Sequence, residues 1–175
     1  MNKPQPSSPD EIKKRFKSIE ASLSKKPWFK KEKWIVSVHG FPNEKSPSGV
    51  TFQVFKKHWW NEDRQGIHIE SYLDLDKKKQ KKTYVTIHVL HSKTIPGTNL
   101  KRIALAKPFV DAIYGDVKKW PGYKFRAGTY GTQPFTKSLD GTSASFEEEL
   151  LDEVCRLCTK LGPVIESCIE GLGKL

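Results

Sequence analysis

Ile67-His68-Ile69-Glu70-Ser71-Tyr72-Leu73-Asp74-Leu75-Asp76 places apolar side chains at most odd positions and polar ones at the even positions. A period of two is the signature of a strand with one face in a core and one face free. Lys77 to Lys81 supplies a polar turn, and Lys82 to His91 resumes the period, with Val85, Ile87 and Val89 on one face and Tyr84, Thr86, His88 and Leu90 on the other. Two such runs joined by a short polar segment predict an antiparallel hairpin. Matching apolar to apolar sets Glu70 opposite His88 and Asp76 opposite Lys82. A slip by two residues would keep every side chain on its face, whereas a slip by one would turn the buried set outward.

Upstream, Trp34 to His39 and Val50 to His58 read as two further strands, separated by a loop over Pro42 to Gly49. Ser8-Pro9-Asp10-Glu11 combines a cap, a proline at the first helical position and a carboxylate three residues after the cap. Ile12, Phe16, Ile19 and Leu23 follow at helical spacing. Downstream, Phe109, Ile113, Val117 and Trp120 predict a helix over 108–119 that ends at Pro121-Gly122. Tyr123 to Arg126 and Thr129 to Phe135 read as short extended pieces, and Gly128 to Thr132 as a turn. Ser145-Phe146-Glu147-Glu148 is a second capping box. The apolar stripe after it is interrupted at Gly162-Pro163, which predicts a helical hairpin or a kinked helix over 143–175. The expected fold is α+β: a mainly antiparallel sheet of four to six strands, with the N-terminal helix, the 108–119 helix and the C-terminal hairpin packed on one face. One domain spans 1–175, with residues 1–8 expected to form a flexible tail.

Charge is unevenly placed. Residues 1–126 hold 27 Lys and Arg against 12 Asp and Glu, and residues 127–175 hold 4 against 8, so the net +11 divides into a basic body and an acidic C-terminal helix. A basic body attracts polyanions, because neutralised phosphates release counterions. No apolar run approaches the roughly 20 residues needed to span a bilayer, and the N-terminus lacks the apolar segment of a secretory signal. Three cysteines, all in the C-terminal fifth, fit a reducing compartment better than a disulfide framework. The expectation is a cytoplasmic protein without membrane contact, for which a homo-oligomer is a further option.

Three groups of residues could carry function. The outward sheet face collects Ser37, His39, Gln53, Phe55, Lys57, His68, Glu70, Tyr72, Thr86 and His88. With Phe55 and Tyr72 stacking on bases, and Lys56, Lys57, Lys77, Lys78, Lys79, Lys81 and Lys82 around them, this face reads as a platform for RNA or DNA. Alternatively, Glu70 beside His88, with His68 and His39 near, could orient an imidazole as a general base, or hold a metal with three ligands. A third pattern, Asp74 and Asp76 followed by Lys78 with Asp63 upstream, has the residue types of metal-dependent phosphodiester cleavage, but a lysine-rich stretch generates it readily. Cys155 and Cys158 lie three apart on one helix without two further ligands, which predicts buried, inert thiols.

The leading expectation is a basic nucleic-acid-binding module that uses an open sheet face and a lysine-rich hairpin loop, without cofactor or metal. The alternative is a hydrolytic or acid/base enzyme centred on Glu70 and His88, with His68 in support. A second alternative is a protein-interaction module that uses the acidic C-terminal helix.

Overall fold

The computed structural model describes residues 8–126 and 130–173. The expected tail therefore lies outside the described residues except for Ser8, and so does part of the Gly128 to Thr132 turn. A six-stranded antiparallel sheet in the order β1-β2-β3-β4-β6-β5 forms the frame. Its strands are β1 (Trp34–Phe41), β2 (Gly49–Lys56), β3 (His68–Asp74), β4 (Thr83–His88), β5 (Tyr123–Phe125) and β6 (Phe135–Leu139). The helices are α1 (Pro9–Ser24), the short α2 (Pro27–Lys31) and α3 (Lys77–Gln80), α4 (Ile103–Val117) and α5 (Phe146–Leu172).

One sheet face is covered by helices, and among the described residues no helix covers the other. Val50, Phe52 and Val54 of β2, Ile69 and Leu73 of β3, and Val85 and Ile87 of β4 are fully buried beneath α1 and α5. Phe16 of α1 reaches both Phe52 and Phe146, with ring centroids 5.3 and 6.4 Å away. α4 packs along α5. The capping box at Ser8 forms reciprocally, Glu11 N–H donating to Ser8 Oγ and Ser8 N–H to Glu11 Oε2.

The β3–β4 register is the slip by two. His68 faces His88 and Glu70 faces Thr86. The reason is the connection. Asp76 does not pair with Lys82; its carboxylate caps α3 by accepting from Lys78 N–H. The buried Gln80 then ties this helical turn down, its side-chain amide donating to Asp74 O while its main-chain carbonyl accepts from Gly141 N–H. Because the shift is even, every side chain keeps its expected face.

The C-terminal segment is one helix, not a hairpin. Leu157, Leu161 and Ile165 continue a single buried stripe across Pro163, so burial outweighs the lost hydrogen bond. Gly162 is needed for close approach, since a Cβ there would stand 2.9 Å from the Trp34 ring. Ser145 makes no side-chain cap to this helix, and its hydroxyl instead donates to Glu149. α4 begins at Ile103 and carries Pro108 in its interior, five residues before the expected start. The last long strand is 135–139, beyond the expected 129–135.

Candidate functional site

The uncovered face is walled into a cleft of about 700 Å³. Its floor is made by β2, β3 and β4, and its walls by the segments around Phe41 to Ser48, Asp63 to Gln65, His91 and Gln133. At its centre lies Glu70. Oε1 accepts from the Tyr84 hydroxyl at 3.1 Å and stands 3.1 Å from His88 Nε2. Oε2 accepts from the Gln53 amide at 3.3 Å and stands 3.2 Å from His68 Nε2. Glu70 thus meets His88 despite the slipped register, because the diagonal partner across two strands is still within reach of a long side chain.

The polar network behind this carboxylate has one sense. Gly66 N–H donates to Asn61 Oδ1, which fixes the Asn61 amide. Asn61 Nδ2 donates to Gln53 Oε1, so Gln53 turns its amide nitrogen toward His68 and Glu70. Asn61 Oδ1, an acceptor only, stands 2.8 Å from His68 Nδ1, which therefore carries the proton. His68 is fully buried. Burial pushes its basicity down, against the opposing pull of Glu70, and a neutral imidazole with its lone pair at Nε2 results. Burial alone would raise the Glu70 carboxyl. A proton or other positive charge at the His68 and His88 nitrogens would outweigh it and hold the group well below the usual carboxylate range.

Three imidazoles stack in series. The His68 and His88 centroids lie 4.7 Å apart, and those of His88 and His91 lie 4.8 Å apart. His91 was not legible as a site residue, because strand alternation assigns it to the core side. Leu90, at φ 50°, breaks the alternation and swings it into the cleft. His39 is buried at the cleft wall with Nδ1 3.3 Å from Ser37 Oγ. Burial, helped by the Arg64 charge, lowers its pKa to about 4. Asn61, Gln133 and Arg64 also lie in segments without a motif, and only their positions in the fold reveal them.

The residues expected to bind nucleic acid do not assemble into one platform. Lys56 lies on the helix side, its ammonium 3.6 Å from Glu32, 3.4 Å from Glu166 and 4.8 Å from the Trp34 ring centroid. Phe55 and Lys57 line a second hollow on the open face, with Ile35 and Arg64. Tyr72 is in the cleft wall, edge-on to Phe41. Lys77, Lys78, Lys79, Lys81 and Lys82 are exposed on and beside α3, at the Gly49 and Asp74 end of the sheet. Six strand residues, roughly 20 Å, separate that end from Phe55. Among the described residues, those lining the cleft include no lysine. The Asp-x-Lys pattern is likewise dispersed, with Asp76 capping α3, Asp74 accepting from Asp76 N–H and Asp63 accepting from Gln65 N–H. Of the thiols, Cys158 is buried as expected, whereas Cys155, expected to be buried beside it, is half-buried, as is Cys168; burial raises all three pKa values.

No helix among the described residues is long and apolar enough to cross a membrane. No protein-family model, no curated protein and no solved structure matches the chain.

Proposed function

We propose that the cleft is the reaction centre of a hydrolytic enzyme acting on a small polar substrate, with Glu70 and His88 as the pair that activates water. The observation that carries this reading is a carboxylate held between two imidazoles inside a walled cleft, an arrangement that an ordinary solvated sheet face does not require. In the step envisaged, the water oxygen bonds to an electrophilic carbonyl or phosphoryl centre while its proton passes to the pair. The same proton then goes to the leaving atom as the substrate bond breaks. Tyr84 and Gln53 steady the Glu70 charge, and Arg64 at the wall offers a positive partner to an acidic substrate.

The test is turnover of a panel of small carboxylic esters, amides and phosphate esters by the protein and by Glu70→Gln. An active class should lose about 10²- to 10⁴-fold in kcat/KM in the variant. Hydrolysis that survives the substitution unchanged, or no turnover above solvent background across the panel, would refute the reading.

Polyanion binding is a second reading, supported by the five exposed lysines gathered around α3. It needs neither the cleft nor a shared surface with it. Affinity for single-stranded RNA or DNA should fall steeply with salt, and replacing the five lysines by glutamine should flatten that dependence. Salt-insensitive binding would exclude it. In this reading the protein works in the cytoplasm, and a homo-oligomer joining the acidic α5 to a basic body would come apart at high salt in a sizing experiment.

A further inference from the structure

His68 poses a problem that the protein's own atoms do not solve. Its Nδ1 proton is committed to Asn61, and its Nε2 accepts from Gln53, yet that same Nε2 stands 3.2 Å from Glu70 Oε2, which is also an acceptor. Two lone pairs at this distance repel unless a positive charge lies between them. A proton would be one solution, but it would make a cation of a side chain with no exposure at all.

We infer that His68, Glu70 and His88 form a binding site for a divalent transition-metal ion of the Zn²⁺ class. Each contributes one donor atom, and the three donors lie within 4.8 Å of one another. Donors held tetrahedrally to one Zn²⁺ at about 2.0–2.2 Å stand about 3.3–3.6 Å apart, so the Glu70 oxygens, 3.2 Å from His68 Nε2 and 3.1 Å from His88 Nε2, are already near ligand spacing, and an ion would draw the widest pair of the set together by roughly 1 Å. Two neutral imidazole nitrogens and a carboxylate oxygen are the donor types of sites that keep a coordination position open. Asn61 supplies what a metal-bound histidine needs behind it, a hydrogen bond that holds the proton at Nδ1 and leaves Nε2 with its lone pair. Tyr84 and Gln53 do the same for the carboxylate. His88 Nδ1 is buried without a partner among the described residues, while its Nε2 stands 2.5 Å from the Gln133 amide nitrogen and 3.1 Å from Glu70 Oε1, so an ion would take the place of the Gln133 contact at that nitrogen. Glu70 and His88 line the cleft while His68 lies behind them. The open coordination position therefore faces the place where a substrate would enter. The use of that position to activate water rests on the hydrolytic reading, whereas the metal site itself does not.

The full chain, stripped with a chelator and dialysed, is titrated with Co²⁺ and followed by its visible absorption, then challenged with Zn²⁺. Expected is one Co²⁺ per chain with an N/O-type spectrum that Zn²⁺ displaces. Glu70→Gln and His88→Ala should each abolish it, and Asn61→Ala should weaken it about 10- to 100-fold, with circular dichroism showing that the variants are folded. No saturable cobalt spectrum would overturn the inference. So would a thiolate-to-cobalt band in the near ultraviolet, which would put the ion on Cys155 or Cys168, or a spectrum indifferent to Glu70→Gln. A protein that binds cobalt as expected but hydrolyses nothing refutes the hydrolytic reading and leaves the site standing. Turnover that needs no metal and survives in protein that binds none does the reverse.

Discussion

Single side chains around the cleft are governed by desolvation more than by their ordinary chemistry. His39 shows this most simply. It is buried beside Arg64, and although Glu44 and Glu70 pull the other way, its pKa lies near 4. The folded protein therefore takes up fewer protons at this residue than the unfolded chain. The stability it protects is complete above the ordinary histidine value of about 6.5 and drains away as pH falls toward 4. Nitrogen-edge NMR of the imidazole should show His39 still neutral at pH 5.5, and His39→Gln should flatten the acid limb of the stability profile between those values. A His39 that titrates near 6.5 would contradict the burial argument. Much of this cluster was legible in the residues themselves: alternation put His39, Gln53, His68, Glu70 and His88 on one face, and the even register slip left that assignment intact. Asn61, Gln133 and His91 were not legible, because their positions depend on loop paths and on one left-handed residue, Leu90, which have no periodic signal.

At the scale of elements, α5 does more than cover the sheet. Glu166 on its second-last turn accepts from the Trp59 indole N–H at 2.9 Å, meets His58 at 2.6 Å and lies 3.4 Å from Lys56, clamping the end of β2 to the helix. Trp59 is fully buried, so Glu166→Ala would leave its N–H without a partner, and should cost about 1–3 kcal/mol in denaturant unfolding. Partial burial tends to raise the Glu166 carboxyl, yet its His58 and Trp59 partners bring it below its ordinary value. The gap between wild type and variant should accordingly be full above pH about 4.3 and narrow as pH drops through the folded value. A constant gap across that range would show the clamp to be packing alone. The continuity of α5 explains why Gly162-Pro163 misleads as a breaker: glycine there makes room for Trp34, a tertiary reason that no local pattern displays. The same holds for Pro108 inside α4.

Across the whole molecule, the basic edge around α3 and the cleft lie on different segments and share no residue except through Asp74, which lines the cleft and stands 3.7 Å from Lys79. Effects of neutralising the five lysines and of Glu70→Gln should add within about 0.5 kcal/mol in stability and leave each other's binding readout unchanged. Coupling well above that would mean that polyanion and small substrate compete for one surface. The overall architecture followed from composition and periodicity, because a sheet with one greasy and one polar face, and helices with single stripes, leave few ways to pack. How the polar face closes into a hollow did not follow, since its walls are irregular loops.

Those walls and that floor have different tolerances. The floor belongs to the innermost strands, whose backs are the hydrophobic core, so a change there disturbs folding as well as chemistry. The rim at Phe41 to Ser48 is mostly exposed and carries Phe41 outward. If the proposed hydrolysis holds, descendants of this chain could accordingly trade one preferred molecule for another by rewriting a handful of rim positions, with the machinery beneath inherited unchanged.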